Sequence, residues 1–395
     1  MKQLYLWSEL SAMRVLTISK AYVAGTSHRK LEELAKCPGV ELIAVTPPYW
    51  LADDGSKQDL ERVYLEGYEL IVTPMALNGH FHIHYYPQLN SIMRRVRPDI
   101  VHIDEEPYNF ATYQAIRLAR RYGALPIFSA FQNLYRRYPP PFRQFELYCY
   151  HHTRHAQVCN KAAGEVLRRK GYKGKIHLIA QFGAEPSLHY PDPQRRPYQP
   201  GEPFILGYVG RLKEEKGVPL IIEALALLPE CCRVVFIGYG PLRDELERMA
   251  QRLGVAERVT FLGSLPSYKV PDEMRKMHVL LQPSLTRPNW MEQFGRSMAE
   301  AMCCGVPVVG SDSGEIPVTV GNGGLIFPEG DARAMAECVR RLLEDQELYQ
   351  RLSRQAREHI LQNYTQEAIA RKTYEVFLEM LAERDAAGSA PTAAP

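Results

Sequence analysis

The chain passes twice through one alternation. Short runs rich in Val and Ile, without apolar–polar alternation, alternate with longer stretches that carry apolar residues at helical spacing. A strand that is apolar on both faces needs cover on both faces, so such runs belong to a parallel sheet flanked by helices. The pattern therefore fixes the fold class as α/β, with two doubly wound, Rossmann-like domains. Strands are predicted at 15–19, 41–46, 70–73, 100–103, 126–130, 156–160 and 176–180 in the first half. They recur at 205–209, 233–237, 259–262, 279–282, 306–310 and 325–327 in the second. Helices are predicted at 27–36, 88–96, 110–122, 142–151 and 161–170, then at 219–228, 241–253, 271–277, 294–303, 332–344, 347–362 and 366–383.

The restart follows Pro191, Pro193, Pro197 and Pro200, ahead of Gly201. Four prolines in that span exclude a central strand or a helix interior, so 191–201 is expected to be a linker. This gives an N-terminal domain over 1–190 with its fold beginning near Met13, a second domain over 202–362, a C-terminal helix over 363–384 and a disordered tail over 385–395. Two such domains are expected to face each other across a cleft, with ligand at the carboxyl ends of the strands. The first twelve residues are expected to be an upstream extension. Residues 1–9 make a poor signal peptide, because an acid follows a short apolar core closely.

Composition narrows the classes further. With 46% hydrophobic and 24% charged residues the chain is globular, which excludes disordered and collagen-like chains. No apolar run approaches the ~18 residues of a membrane span. The eight cysteines form no C-x-x-C, so neither a zinc nor a redox motif is present, and a reducing, cytoplasmic setting is expected. The net charge of +3 conceals an asymmetry: residues 1–190 hold 24 Lys+Arg and 17 Asp+Glu, and the remainder 24 and 28. A basic first half favours anionic partners, but no nucleic-acid-binding motif accompanies it, so nucleic acid is not an expected partner.

The chemistry concentrates at 283–310. A loop holding Glu292 follows a strand and leads into a helix predicted to start at Phe294, with Gly295 beside it. Free N–H groups at such a start receive phosphate. Glu300 follows Glu292 by eight residues, ~12 Å if both lay on an ideal helix. That is about the separation of the sugar and the ribose in a nucleotide-sugar. Upstream, Gly210-Arg211-Leu212-Lys213-Glu214-Glu215-Lys216-Gly217 places two cations after a strand end, where they can neutralise a diphosphate. Gly238 closes the next strand in Phe236-Ile237-Gly238-Tyr239-Gly240-Pro241.

Together these segments resemble the retaining GT-B-fold glycosyltransferases of family four. The 292–310 stretch is similar to that family's E-G-F-G…E-A-M-A-x-G-x-P-V-V signature, and 210–217 to its G-R-L-x-x-x-K-G. The segments 236–241, 259–263 and 323–328 match its later landmarks in order. The resemblance implies a metal-independent enzyme that moves a sugar from a nucleoside diphosphate donor to an acceptor, forming an α-glycosidic bond. It implies Arg211 and Lys216 on the diphosphate, Glu292 on the transferred sugar and Glu300 on the ribose. Gly210, Gly238, Phe294 and Gly295 are expected around the donor, and the last helix is expected to pack back on the N-terminal domain. The chain departs from the pattern at Gln293, Arg296 and 313–317, which puts donor identity in question. Where relatives carry a histidine, the sequence reads Phe131-Gln132-Asn133. A Gln is no general base, so Gln132 and Asn133 are expected only as sugar or acceptor contacts.

Two further segments carry candidates. Gly25 opens a helix after the first strand, where backbone approaches phosphate or simply turns. His102-Ile103-Asp104-Glu105-Glu106-Pro107 ends a strand. Glu105 and Glu106 there are candidate sugar or acceptor contacts, with a solvated loop or a metal site as alternatives. His80-Phe81-His82-Ile83-His84 alternates as a metal tract would on a strand, and reads better as an exposed segment. The acceptor is expected to be a sugar, a lipid-linked molecule or a natural product, met by the basic N-terminal domain. Arg94-Arg95-Val96-Arg97 and the loop 135–142 there are either a peripheral membrane contact at the inner face or a capped helix end and a plain connector. A sugar-nucleotide epimerase and a non-catalytic nucleotide-sugar-binding protein are the competing readings.

Overall fold

The computed structural model describes residues 12–52, 55–194 and 198–388. The expectations for residues 1–9 and for the end of the tail fall outside them. The chain forms two compact units, one of Met1–Gln181 with Ile369–Pro395 and one of Phe182–Ala368.

The first unit has strands β1 Met13–Ile18, β2 Val40–Thr46, β3 Tyr49–Leu51, β4 Lys57–Asp59, β5 Glu69–Val72, β6 Ile100–Ile103, β7 Leu125–Ala130, β8 His155–Val158 and β9 Lys175–Leu178. Its seven-stranded sheet is parallel throughout, in the order β5-β2-β1-β6-β7-β8-β9. The antiparallel pair β3–β4 stands apart from it. The second unit has β10 Phe204–Val209, β11 Cys232–Ile237, β12 Val259–Gly263, β13 Val279–Gln282, β14 Val308–Ser311 and β15 Gly324–Phe327. They form a parallel sheet in the order β12-β11-β10-β13-β14-β15.

Both orders reverse direction once, between β1 and β6 and between β10 and β13. In an open α/β sheet the connections diverge at such a point and leave a crevice at the carboxyl ends of the strands. Each sheet is held by helices whose apolar stripes face it. In the first unit Leu16, Ile18, Val45 and Val101 pack with Leu89, Met93 and Ile116. In the second, Leu206, Val234 and Phe236 pack with Ile221, Leu225, Leu246 and Val339. Each of these side chains is fully or nearly fully buried, which stabilises by about 1.5–3 kcal/mol per residue.

The boundaries depart from expectation in instructive places. The division between the units falls after Gln181. Within the proline-rich stretch, Tyr198 is buried against Phe204 and His278 at ring distances of 5.2 and 5.7 Å. Pro191, Pro193 and Pro200 lie outside helices and strands, and Tyr198 between them still packs into the second unit. The last helix runs Gln366–Gly388, so its final turn covers 385–388 of the expected tail. Its later part packs within the first unit: Tyr374 donates to the Pro38 carbonyl at 2.9 Å, and Phe377 lies edge-on to His102 at 5.8 Å. A short helix, Ile316–Val320, was not expected. All eight cysteines are free thiols and six are buried. No helix among the described residues is long and apolar enough to cross a membrane.

Candidate functional site

At the second unit's switch point β10 ends into Gly210 and Arg211, and β13 ends into the loop 283–295. Between them lies a pocket of about 440 Å³. Gly210, Arg211, Lys216, Glu292, Phe294, Gly295 and Glu300 all line it, although they come from segments up to 90 positions apart in the chain. Gly238 does not line it. A Cβ on Gly238, which has φ +132°, would stand 2.0 Å from the Gly210 carbonyl oxygen. It lets two strand ends approach and contributes indirectly.

Glu292 is buried, and Lys216 Nζ pairs with its Oε2 at 2.7 Å. The Gln282 side-chain amide and the Ser284 hydroxyl donate to the same oxygen at 3.1 and 3.0 Å. Lys216 Nζ also lies 4.5 Å from the Trp290 ring centroid. The two residues expected to serve different ends of a donor thus share one ion pair. Arg211 is exposed, with its guanidinium 5.7 Å from the Tyr239 ring, and its carbonyl accepts from the Tyr208 hydroxyl at 2.8 Å.

The helix expected from Phe294 begins at Arg296, after Gly295 at φ 75°, ψ 65°. That left-handed turn suits glycine, and no side chain caps the helix, so its first N–H groups are left to solvent or ligand. Glu292 precedes this helix by a loop, so the ideal-helix spacing to Glu300 does not apply. Gly314 and Glu315 hold that loop: the Glu315 N–H donates to the Glu292 carbonyl at 3.1 Å. Arg296, one of the departures from pattern, pairs with Glu300 at 2.7 Å.

The first unit's switch point is filled by its own ion pairs. Lys20 Nζ and His84 Nε2 meet Glu105 Oε2 at 2.9 and 2.8 Å, and Lys30 meets Asp104 at 3.2 Å. Burial pushes the Glu105 carboxyl up, but Lys20 and His84 outweigh it and hold it well below its usual range. The acids at 104–106 are buried, so the solvated-loop alternative is corrected, and Glu105 is a structural anchor. Glu106 accepts from the Phe131 N–H at 3.0 Å, and burial raises its pKa to about 7. The Gly25 N–H already donates to Glu61 at 2.7 Å, and a Cβ there would strike Val63. An internal carboxylate holds the place expected for phosphate.

Gln132 is engaged at both ends, accepting from Lys170 Nζ at 2.8 Å and donating to the Leu134 carbonyl at 2.8 Å. One lone pair and one N–H remain for a ligand. Asn133 is buried beside it. The histidine tract forms turns rather than a strand, and His82 packs among Tyr108, Tyr138 and Phe142. Among the described residues, one group has metal-holding proximity: His155, His177 and Glu379. There His155 Nδ1 and His177 Nε2 hydrogen-bond each other at 3.0 Å, which uses a lone pair a metal would need.

Sequence reasoning missed Gln282, Ser284 and Trp290 around Glu292, and Lys170 behind Gln132. A polar Gln closing the apolar strand Val279–Gln282 was the available signal for the first of these. Nothing local marks Lys170, whose partner Glu146 lies 24 residues away.

The sequence profile of glycosyl transferases group 1 matches residues 192–359, and that of glycosyltransferase family 4 matches 29–181. Over 152 residues, 37% of this chain, the sequence is 34% identical to 2-deoxystreptamine glucosyltransferase of Streptomyces kanamyceticus. Over 178 residues, 41% of this chain, it is 34% identical to a GDP-mannose-dependent alpha-(1-6)-phosphatidylinositol monomannoside mannosyltransferase of Mycolicibacterium smegmatis. The chain spans less than half the length of these two relatives, 38% and 46%. HepE of Anabaena, solved with UDP, superposes with a TM-score of 0.68 at 18% identity, covering 93% of this chain and 100% of that one. Sucrose-phosphate synthase of Thermosynechococcus elongatus gives 0.67 at 20%, covering 94% and 100%. At these identities the two structures establish the fold.

Proposed function

Since this chain belongs to the family-four type of GT-B-fold glycosyltransferases, we propose that it moves a sugar from a nucleoside diphosphate donor to an acceptor hydroxyl. The new bond is α-glycosidic, with the donor's configuration retained and no metal required. The observation that carries this reading is the pocket at the second switch point, where Arg211, Lys216, Glu292 and an uncapped helix start converge. HepE, which shares the fold, was solved with UDP, and a nucleoside diphosphate is the ligand inferred here.

The chemistry follows from the contacts. All three bonds to Glu292 fall on Oε2, leaving Oε1 as the acceptor for a sugar hydroxyl. Lys216, held on Glu292, lies where one ammonium can serve carboxylate and phosphate together, and Arg211 adds a second cation. These charges stabilise the departing diphosphate, the role a metal plays elsewhere. The acceptor oxygen attacks on the face the diphosphate leaves, and the diphosphate takes its proton. Positioning then matters more than a protein base, which accords with Gln132. Glu300 meets the ribose once Arg296 yields. The acceptor is a sugar, a lipid-linked molecule or a natural product, and the basic first half supports contact with an anionic membrane surface.

Incubation with UDP-, GDP- and ADP-sugars and a panel of hydroxyl acceptors tests the reading. One donor should give an α-linked product by the anomeric coupling in NMR, in metal-chelated buffer. A β-linked product, or turnover only with added metal, would contradict it.

A further inference from the structure

A second pocket, of about 370 Å³, lies wholly within the first unit. Three elements build it: the loop after β7, the helix Phe142–His152 and the end of the helix Lys161–Arg169. Five cations line it, Arg136, Arg137, Arg143, Arg169 and Lys170, against one carboxylate, Glu146. Glu146 is fully used, since Lys170 Nζ meets its Oε1 at 2.7 Å and Arg143 meets its Oε2. Positive charge therefore exceeds negative among the lining groups.

Four of these cations, Lys170, Arg143, Arg169 and Arg137, are held in place. Lys170 is only 3% exposed in its side chain, and its Nζ lies 4.8 Å from the Tyr138 ring centroid. Arg143 also donates to the Lys170 carbonyl at 3.2 Å. Arg169 stacks over Tyr135 at 4.5 Å, and Arg137 donates to the Tyr135 hydroxyl at 3.3 Å. Gathering like charges opposes folding unless a counter-ion joins them. Guanidinium forks around a buried ammonium match the oxygens of a phosphate, with bidentate contacts and a point charge together. A carboxylate would leave most of these donors unused. The pocket also borders Gln132, an expected sugar or acceptor contact, because Lys170 holds Gln132 as well as Glu146.

We propose that this pocket binds a phosphate group carried by the acceptor, so that the glycosyltransferase acts on a phosphorylated acceptor. The inference rests on the transfer reading above and names the acceptor's chemistry. The phosphate belongs to a lipid headgroup or to a soluble phosphomonoester, and one experiment separates the two.

Arginines of the full chain are modified with phenylglyoxal, and their rates are read peptide by peptide by mass spectrometry. The probes are glycerol 3-phosphate, phosphatidylcholine vesicles containing phosphatidic acid, and phosphatidylcholine vesicles alone. Modification of Arg137, Arg143 and Arg169 should slow roughly tenfold with at least one phosphate probe, while Arg94, Arg95 and Arg97 keep their rates. Protection by glycerol 3-phosphate assigns a soluble monoester, and protection by phosphatidic acid vesicles alone assigns a lipid. The exposed substitution Arg137→Ser should raise the protecting concentration at Arg143. Unchanged rates with both probes, or protection spread equally over Arg94, Arg95 and Arg97, would overturn the proposal. Protection of Arg211 by nucleoside diphosphates in the same digests reads the donor pocket separately, so the two readings can fail independently.

Discussion

Three donors converge on one oxygen of Glu292, and this decides how substitutions there should behave. Glu292→Gln removes the charge that holds Lys216 and presents a donor where the oxygen accepted. Turnover should fall by roughly 10²–10³, the scale for a charge-stabilising group at a reacting centre, with donor affinity changed far less. Steady-state kinetics that show KM rising alone would contradict that role. Glu300→Ala should do the reverse, weakening nucleoside diphosphate binding while kcat at saturation holds, because a ribose contact is equal in ground and transition states. Glu106 offers a pH test. Burial lifts its folded pKa from 4.5 to about 7, so the folded state holds the proton more tightly than the unfolded one. Its contribution is unpenalised below about 4.5. Stability falls as pH rises between the two values, by up to ~1.4 kcal/mol per unit. In thermal melts from about pH 4.5 to 8, Glu106→Gln should flatten that decline. Parallel curves for variant and wild type would refute the assignment.

At the level of elements, most of the fold was legible because buried strands announce themselves. β6 and β13 match the sequence reading residue for residue, since a Pro-Asp pair or a His opens each and polar residues close it. The pair β3–β4 was not legible: Tyr49–Leu51 and Lys57–Asp59 carry no alternating face and rest on each other rather than on the main sheet. Residues singled out by a local signature, such as Arg211 and Lys216, line the pocket at the second switch point. Roles that depend on distant partners carry no such signature, as Lys20 and Glu105 lie 85 positions apart and Lys216 and Glu292 lie 76. Two glycines separate tight packing from chemistry. An added Cβ at Gly238 meets fixed backbone, the Gly210 carbonyl, whereas at Gly295 it meets the movable end of Met298. Both substitutions by Ala also strain a positive φ, by roughly 1–2 kcal/mol. Gly238→Ala should therefore lower Tm more than Gly295→Ala, while Gly295→Ala should weaken donor binding through the displaced helix start. Equal melting losses would count against this division.

The whole molecule repeats one architecture in two units. The same switch-point geometry is filled with internal ion pairs in Met1–Gln181 and left as a pocket in Phe182–Ala368. Charge follows the division, with the basic excess in the first half of the sequence, where the second pocket gathers five cations. The proposal assigns donor recognition to the second unit, and the most direct measurement is nucleoside diphosphate binding to the full chain. UDP, GDP and ADP are titrated by calorimetry and thermal shift into wild type, Arg211→Ala and Lys216→Ala. One nucleotide should bind wild type and, at a hundred times its Kd, stabilise the fold by about 2.7 kcal/mol. Each substitution should weaken it by roughly tenfold or more, the 1.5–3 kcal/mol of a charge-assisted bond. Binding of none of the three, or equal affinity in all three proteins, would contradict the assignment of the pocket.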